Sequence, residues 1–137
     1  MLIVSGGNTD ITSFEDLKGK RTANTISSTY AAIAQEYGAA VTPVDSLSET
    51  IELLLAGRID ATINAEVSYL DYMAAHPDAD IRVAASLEPD KVCYPVNRND
   101  DTVTLIEAVN ACLQELRDSG KLAELSEKYF YGDITNP

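Results

Sequence analysis

The sequence predicts an α/β fold, a mostly parallel sheet with flanking helices, followed by C-terminal helices. Short β-branched runs alternate with amphipathic runs, and the amphipathic runs begin on Ser, Thr or Asp and end on Gly. After residue 100 the strand signals stop and only helical periodicity continues. Because helices that connect consecutive strands return the chain to the same edge of a sheet, the alternating part predicts parallel strands.

Helix caps and glycines divide the alternating part. Thr12 and Glu15 have the spacing of a capping box, and Ser46 and Glu49 repeat it. The predicted elements, in order, are a short helix ending at Gly19, a strand at 21–26, a helix ending at Gly38, a strand at 40–44, a helix ending at Gly57, a strand at 59–64, a helix at 66–75 and a strand at 81–85.

The rest of the chain is predicted to be a helical tail. Residues 91–96 form one more extended run, and Pro95 places it at a sheet edge or a crossover. Helical periodicity then runs from Asp101 to Phe130, interrupted by Gly120. The apolar stripe of the first of these two helices comprises Val103, Ile106, Val109, Leu113 and Leu116. We therefore expect an α/β domain at 1–97 and a helical tail at 98–137.

Composition excludes several classes of function. The net charge of -12 repels nucleic acid phosphates and anionic membrane surfaces, so no nucleic acid partner is expected. Cys93 and Cys112 lack the spacing of a zinc site or a disulfide framework, and we expect both to be small core residues. His76, the single histidine, lies in Ala-His-Pro and is expected at an exposed helix end. No catalytic residue, metal site or cofactor is predicted.

Two predicted strand-to-helix junctions could bind a ligand, because helix N-termini at the carboxyl ends of parallel strands present free N–H groups. The first is Ser27 with Ser28, Thr29 and Tyr30, whose hydroxyls and amides could bind a carboxylate beside the tyrosine ring. The alternative is a plain N-cap. The second junction contains Asn64 and Glu66, which could bind a cation. There the alternative is simple stabilisation of the helix dipole by Glu66.

Four parts of the chain carry recognisable patterns. They are TSFEDLKGK at 12–20, SSTY at 27–30, GRIDA at 57–61, and DSGKL at 118–122 with LSEKYF at 125–130. Together they resemble the family 3 extracellular solute-binding proteins, the polar amino-acid-binding components of ABC importers. The resemblance implies a periplasmic binding protein type II lobe, the second of two lobes that close on a free amino acid.

The resemblance also implies roles for the junction residues. Ser28 and Thr29 would bind the carboxylate of the amino acid, with Tyr30 adjacent. In the family an Asp after the GRIDA-like strand usually receives the ammonium group, whereas this chain has Ala65 at the matching position. Either Asn64 or Glu66 compensates, or the ammonium group is bound elsewhere, for example by the first lobe.

The expected function is binding of a free polar amino acid, with cystine as one candidate, for delivery to the permease subunits of an ABC importer. The alternatives are the ligand-sensing domain of a signalling receptor and a clamp-fold periplasmic enzyme such as a dehydratase, for which Glu66 is the sole acid/base candidate. The first lobe and any signal or anchor segment are missing, so Met1 is expected to be an artificial or truncated start.

We expect the intact parent to be periplasmic or extracellular and associated with the membrane. The helical tail would pack against lobe one of that parent. In this chain its apolar stripe has no such partner, and the expected result is a homodimer.

Overall fold

The computed structural model describes residues 1–26, 28–89, 93–97 and 99–135, without the side chains of Asp100 and Asp101. The chain divides into two compact units, Met1–Leu87 and Glu88–Pro137. Ser27, Lys91 and Val92 lie outside the described residues. The described remainder of the predicted extended run at 91–96 has no strand.

The first unit alternates strands and helices as predicted. Its elements are β1 (Leu2–Ser5), a 3-10 helix (Glu15–Leu17), β2 (Arg21–Thr25), α1 (Thr29–Glu36), β3 (Ala40–Val44), α2 (Leu47–Leu55), β4 (Thr62–Ile63), α3 (Glu66–Ala75) and β5 (Ile81–Ala85). The strand predicted at 59–64 is much shorter in the structure, and β1 is a strand that was not predicted. The other strand and helix bounds agree closely with the prediction.

Four of the five described strands run in the same direction. β2 and β3 pair in parallel along their full length, and β1 lies antiparallel between β4 and β5. A parallel bridge between Thr22 and Ala61 joins β2 to β4. The strands connected by helices therefore all run in one direction, and β1 alone among the described strands runs against them. The predicted α/β class is confirmed, and the place of β1 between β4 and β5 makes the strand pairing mixed.

Apolar side chains cover both faces of this sheet because side chains alternate along each strand. One buried cluster contains Leu2, Val4, Ile11, Phe14, Leu17, Ala34, Ala61 and Ile63. The other contains Ile3, Ala23, Val44, Ile51, Leu54, Ile59 and Ile81. Ala34 of α1 packs on the first face, and Ile51 and Leu54 of α2 pack on the second. The first unit therefore has a core on each side of its sheet.

The helix caps partly match the prediction. Ser46 Oγ accepts a hydrogen bond from the Glu49 backbone N–H at 3.2 Å, as the capping pattern predicts. The Thr12–Glu15 capping box is wrong, because the Asp16 carboxylate accepts hydrogen bonds from the backbone N–H groups and hydroxyls of Thr12 and Ser13. These hydrogen bonds, the one from the Thr12 backbone first, lower the pKa of Asp16.

The second unit contains α4 (Asp100–Asp118) and α5 (Lys121–Phe130), separated by Gly120 at φ 75°. The buried Ser126 hydroxyl donates to Gly132 O at 2.6 Å and accepts from the Ile134 N–H at 2.9 Å. These two hydrogen bonds hold the segment that follows α5 against the helix.

The apolar stripe predicted for α4 is only partly buried, because two of its members, Val103 and Val109, remain 49% and 41% exposed. Searching the described residues finds no helix long and apolar enough to cross a membrane.

The expectation for the two cysteines is wrong. Cys93 and Cys112 are both exposed free thiols. Cys93 lies in an irregular segment, and Cys112 lies on α4, a helix with no fully buried residue among its described side chains. His76 does end α3, as its C-cap, and its side chain is exposed as predicted.

An ion pair joins the start of β2 to the turn before β4. Arg21 Nη2 lies 2.7 Å from Asp60 Oδ1, and Arg21 Nε donates to Asp60 Oδ2 at 3.2 Å. The Arg21 backbone N–H donates to the same Oδ2 at 2.8 Å. The side-chain hydrogen bond from Arg21 is the largest cause that lowers the pKa of Asp60. Asp60 therefore connects the start of β2 to the turn before β4, although the two lie 39 residues apart in sequence.

We expect Asp60→Asn to lower the urea midpoint of unfolding at pH 7. Because the folded-state pKa of Asp60 lies below its unfolded value of about 3.9, the stabilisation is complete above that pH and is lost as pH falls through the folded-state pKa. The difference between wild type and variant should therefore shrink in acid. Asp71→Asn, on the exposed side of α3, is the control for removing one negative charge, and an equal effect of both variants would contradict the prediction.

Candidate functional site

The two predicted junctions lie at the carboxyl ends of neighbouring strands. β2 ends at Thr25 and β4 ends at Ile63, and the bridge between Thr22 and Ala61 sets the two strands side by side in the same direction. α1 begins at Thr29 and α3 begins at Glu66. The structure therefore brings the two junctions to one edge of the sheet, where the positive ends of two helix dipoles point outward.

At the first junction Ser28 is the N-cap of α1. Ser28 Oγ accepts a hydrogen bond from the Ala31 N–H at 3.3 Å, and the Ser28 N–H donates to Thr25 O at 3.1 Å. Ser28 is therefore an N-cap, and the lone pairs of its hydroxyl oxygen serve the helix. A capping hydroxyl keeps its own proton, so Ser28 can still donate to an anion.

Thr29 and Tyr30 differ in what they offer a ligand. Thr29, the first residue of α1, is exposed, and its hydroxyl has no hydrogen-bond partner in the described part of the chain. Tyr30 is half-buried and packs against the first core cluster. Thr29 is therefore the free donor of this junction, whereas much of the tyrosine ring is used for packing.

The second junction combines an engaged amide with a free carboxylate. Asn64 Oδ1 accepts a hydrogen bond from the Ala65 N–H at 2.8 Å, so the side chain shapes its own turn. Glu66 is exposed and makes no hydrogen bond or ion pair within the described residues. Ala65, the N-cap of α3, has no side chain that could cap the helix. Glu66 is thus the available acceptor for a cation at this junction.

An amino group already lies at this edge of the sheet. The Met1 amino group donates to Asn64 O at 2.7 Å, and the Asn64 N–H donates to Met1 O at 3.0 Å. Burial is the main cause that lowers the pKa of the Met1 amino group, and the negative charge of Glu66 opposes that shift. These contacts continue the pairing of β1 with β4, on the side of β4 away from β2.

Two residues that sequence reasoning missed lie between the junctions. Asn24 and Thr62 are 2% and 0% exposed, and each side chain donates a hydrogen bond to the backbone of the neighbouring strand. The available signal was an Asn inside a predicted strand, where this residue type is depleted.

Grooves also lie away from the two junctions, including an apolar one on the second unit beside Leu122, Leu125 and Tyr129. A groove of about 340 Å³ between α2 and α3 is open to solvent and is lined by Leu47, Ser48, Ser68, Asp71, Tyr72, Ala75 and His76. The Tyr72 and His76 rings contact each other there, with centroids 4.5 Å apart. Among the described residues, no three His, Cys, Asp or Glu side chains are grouped so that they could bind a metal ion.

The chain is similar to bacterial amino-acid-binding proteins. A probable amino-acid ABC transporter-binding protein of Haemophilus influenzae is 32% identical over 136 residues, which make up 98% of this chain and 52% of that protein. The L-cystine-binding protein TcyA of Bacillus subtilis is 27% identical over 136 residues, 98% of this chain and 50% of that protein. No protein-family model matches the chain.

Solved structures support the same relationship. The L-cystine solute receptor of Neisseria gonorrhoeae, in its unliganded open conformation, matches 99% of this chain and 57% of its own chain, with a TM-score of 0.80 and 32% identity. These comparisons confirm the resemblance and the α/β lobe that it implies. The named relatives are binding proteins, and the chain spans about half the length of the curated relatives it matches.

The different surroundings of Ser28 and Thr29 predict different effects on folding. Ser28→Ala removes the α1 cap and should lower the free energy of unfolding by about 1 kcal/mol. Thr29→Ala removes an exposed hydroxyl without a partner and should leave that free energy within about 0.5 kcal/mol of wild type. Urea denaturation of both variants measures this, and an equal loss of stability in the two would contradict the cap assignment.

Proposed function

We propose that this chain supplies one half of a two-sided binding site for a free amino acid that is delivered to an ABC importer. The observation that carries the proposal is the pairing of two complementary groups at one edge of the sheet. Thr29, beside the N-cap Ser28, presents a free hydroxyl donor at the N-terminus of α1. Glu66 presents a free carboxylate at the N-terminus of α3. A zwitterion needs such a donor for its carboxylate and such an acceptor for its ammonium group.

The charges at this edge favour the proposed orientation. The carboxylate of the ligand would lie at the N-terminus of α1, where the helix dipole and free N–H groups attract an anion. The ammonium group would lie toward the exposed carboxylate of Glu66 at the N-terminus of α3. Glu66 would thereby compensate for Ala65 at the position where the resemblance leads us to expect an Asp.

The proposed activity is reversible capture without catalysis. Glu66 has no neighbouring acid, base or nucleophile bonded to it in the described part of the chain, so the dehydratase alternative lacks a second catalytic group. Cystine is the candidate ligand because a cystine-binding relative and a cystine receptor structure match nearly the whole chain. The other alternative, the ligand-sensing domain of a signalling receptor, would bind the amino acid with the same residues. It would differ only in the protein to which the domain is connected.

The full-length parent is proposed to act outside the cytoplasmic membrane, associated with the permease subunits of an ABC importer. The support is the similarity to ABC transporter-binding proteins over 98% of this chain. Its second lobe would comprise about 1–97, and the tail at 98–137 would pack against lobe one.

We expect this chain alone to bind free amino acids more weakly than micromolar, because a surface that contacts only one side of a ligand cannot desolvate it. An NMR titration with cystine, arginine and glutamate should shift the amide signals of Thr29, Ala65 and Glu66 at millimolar concentrations. Micromolar binding would contradict the one-sided site, and the absence of shifts at these amides with every amino acid would contradict the proposed function.

Variants then separate the two junctions. Thr29→Ala should remove about 1.5–3 kcal/mol of binding through the lost charge-assisted hydrogen bond, enough to abolish a millimolar interaction. Glu66→Gln should weaken binding more than Asn64→Ala, because the Asn64 amide oxygen is already engaged by the Ala65 N–H. The reverse order would place the ammonium group elsewhere.

A second proposal concerns the exposed apolar residues of the second unit. Val103, Leu105 and Val109 of α4 are between 41% and 54% exposed, as is Phe130 of α5. Because these side chains are already about half buried, covering the four of them on each of two copies is worth about 6–12 kcal/mol, which is comparable with the entropic cost of association of about 4–15 kcal/mol. We propose that this surface packs on the other half of the full-length parent and, in this chain alone, on a second copy.

We therefore expect this chain to dimerise at micromolar concentration. Sedimentation or light scattering would compare the full chain with a truncation that ends near Asn97. A monomeric full chain contradicts the prediction, and so does a truncation that dimerises equally well. Val103→Glu with Val109→Glu is a milder test, since it leaves the helices in place and should also give a monomer.

A further inference from the structure

The seam between β2 and β4 has an unusual set of connections. β2 and β3 form a regular parallel ladder, whereas β2 and β4 are joined by the bridge between Thr22 and Ala61. Before this bridge, Arg21 O accepts hydrogen bonds from the N–H groups of both Asp60 and Ala61. After it, side chains connect the two strands.

Two buried side chains connect the strands beyond the bridge. Thr62 Oγ1 donates to Ala23 O at 2.8 Å, and Asn24 Nδ2 donates to Ile63 O at 2.7 Å. The two bonds come from opposite faces of the sheet. Asn24 alternates with Ala23, a member of the second core cluster, and so faces the first cluster, while Thr62 faces the second.

These two bonds lie directly before the two junctions. Asn24 is followed by Thr25, whose carbonyl accepts the Ser28 N–H. Ile63 is followed by Asn64, whose side chain shapes the turn into α3. A change in the separation of β2 and β4 at this point would therefore change the distance between the hydroxyl of Thr29 and the carboxylate of Glu66.

Asn24 also carries a polar group that the fold does not use. Its Oδ1 is buried without a hydrogen-bond partner in the described structure, and so is the hydroxyl of Thr22. A buried amide oxygen without a partner destabilises the folded state. The one hydrogen bond that the Asn24 side chain makes is therefore the bond from its amide N–H to Ile63 O of β4.

We infer that Asn24 and Thr62 are positioning residues of the amino-acid site, which set the separation of its two junctions. This inference rests on the proposed function for its ligand and on the seam geometry for its mechanism. The pair acts through the junction residues and does not touch the ligand. A two-point hydrogen-bonded clamp binds a zwitterion only when both ends are correctly spaced, so the loss of either bond should reduce affinity.

The two threonines provide a matched test in the full chain. Thr22 and Thr62 are both 0% exposed, but only Thr62 has a hydrogen bond across the seam. The measurement is the rate of amide hydrogen exchange in the ligand-free protein, normalised to amides of β1. A faster rate at a junction amide means that the junction opens more often. Thr62→Val should speed exchange at Ser28 and Ala65 by about tenfold, which corresponds to one lost hydrogen bond. Thr22→Val should leave both amides unchanged, and Thr62→Ser, which keeps the hydroxyl, should restore protection.

Asn24→Leu is the second variant, because it removes the seam bond together with the unpaired oxygen. Its melting temperature should fall by no more than that of Thr62→Val, because removal of the unpaired oxygen offsets part of the cost of leaving Ile63 O without a donor. Exchange at Ala65 should nevertheless speed, and the millimolar amino-acid affinity should fall at least about fivefold. Unchanged exchange and affinity in both Asn24→Leu and Thr62→Val would overturn the inference. If wild type binds no amino acid, the proposed function fails, and the exchange measurements alone still decide whether these residues position the junctions.

Discussion

The adjacency of β2 and β4 is the constraint on which the candidate site depends. These strands are distant in sequence, and two helices and a further strand lie between them. They nevertheless end side by side, so that α1 and α3 begin at the same edge of the sheet. Without this adjacency Thr29 and Glu66 would be two unrelated surface residues. With it, they form one surface with a donor at one end and an acceptor at the other.

Several residues that carry the family resemblance hold the scaffold of the first unit together. In the GRIDA segment, Gly57 ends the turn after α2, Asp60 binds Arg21, and Ala61 packs in the first core cluster. In the segment at 12–20, Asp16 ties Thr12 and Ser13 to the short helix. The patterns therefore identify the lobe through its scaffold, while the residues of the site itself depart from the expected pattern at Ala65.

Most of the first unit could be predicted because its elements are short and carry local signals. Ser28, Ser46 and Gly38 mark helix ends through chemistry that acts within a few residues. The two junctions followed from the rule that parallel strands share an edge. What could not be predicted depends on long-range contacts. The direction of β1 is set by pairing with β4 and β5, which no local pattern encodes.

Other differences have equally specific causes. Glu15 and Asp16 both fit the start of the short helix, and only the folded backbone shows that Asp16 reaches the two N–H groups. Cys112 follows the helical period of an apolar stripe, but the described residues of α4 lack the contacts that would bury it. The bonds of Asn24 and Thr62 span 39 residues each, so neither hydrogen bond could be recognised from neighbouring residues in the chain.

The completeness of the first core is what would allow the proposed half-site to exist without a second lobe. Apolar clusters cover both faces of the sheet within Met1–Leu87, so this unit does not need a ligand or a second lobe to bury its core. The free groups of Thr29 and Glu66 remain hydrated at its edge. An amino acid that binds there must exchange that water for a hydrogen bond at each end while its other side stays in solvent. The net gain is small, and tight binding therefore requires a second surface that excludes water from the opposite side.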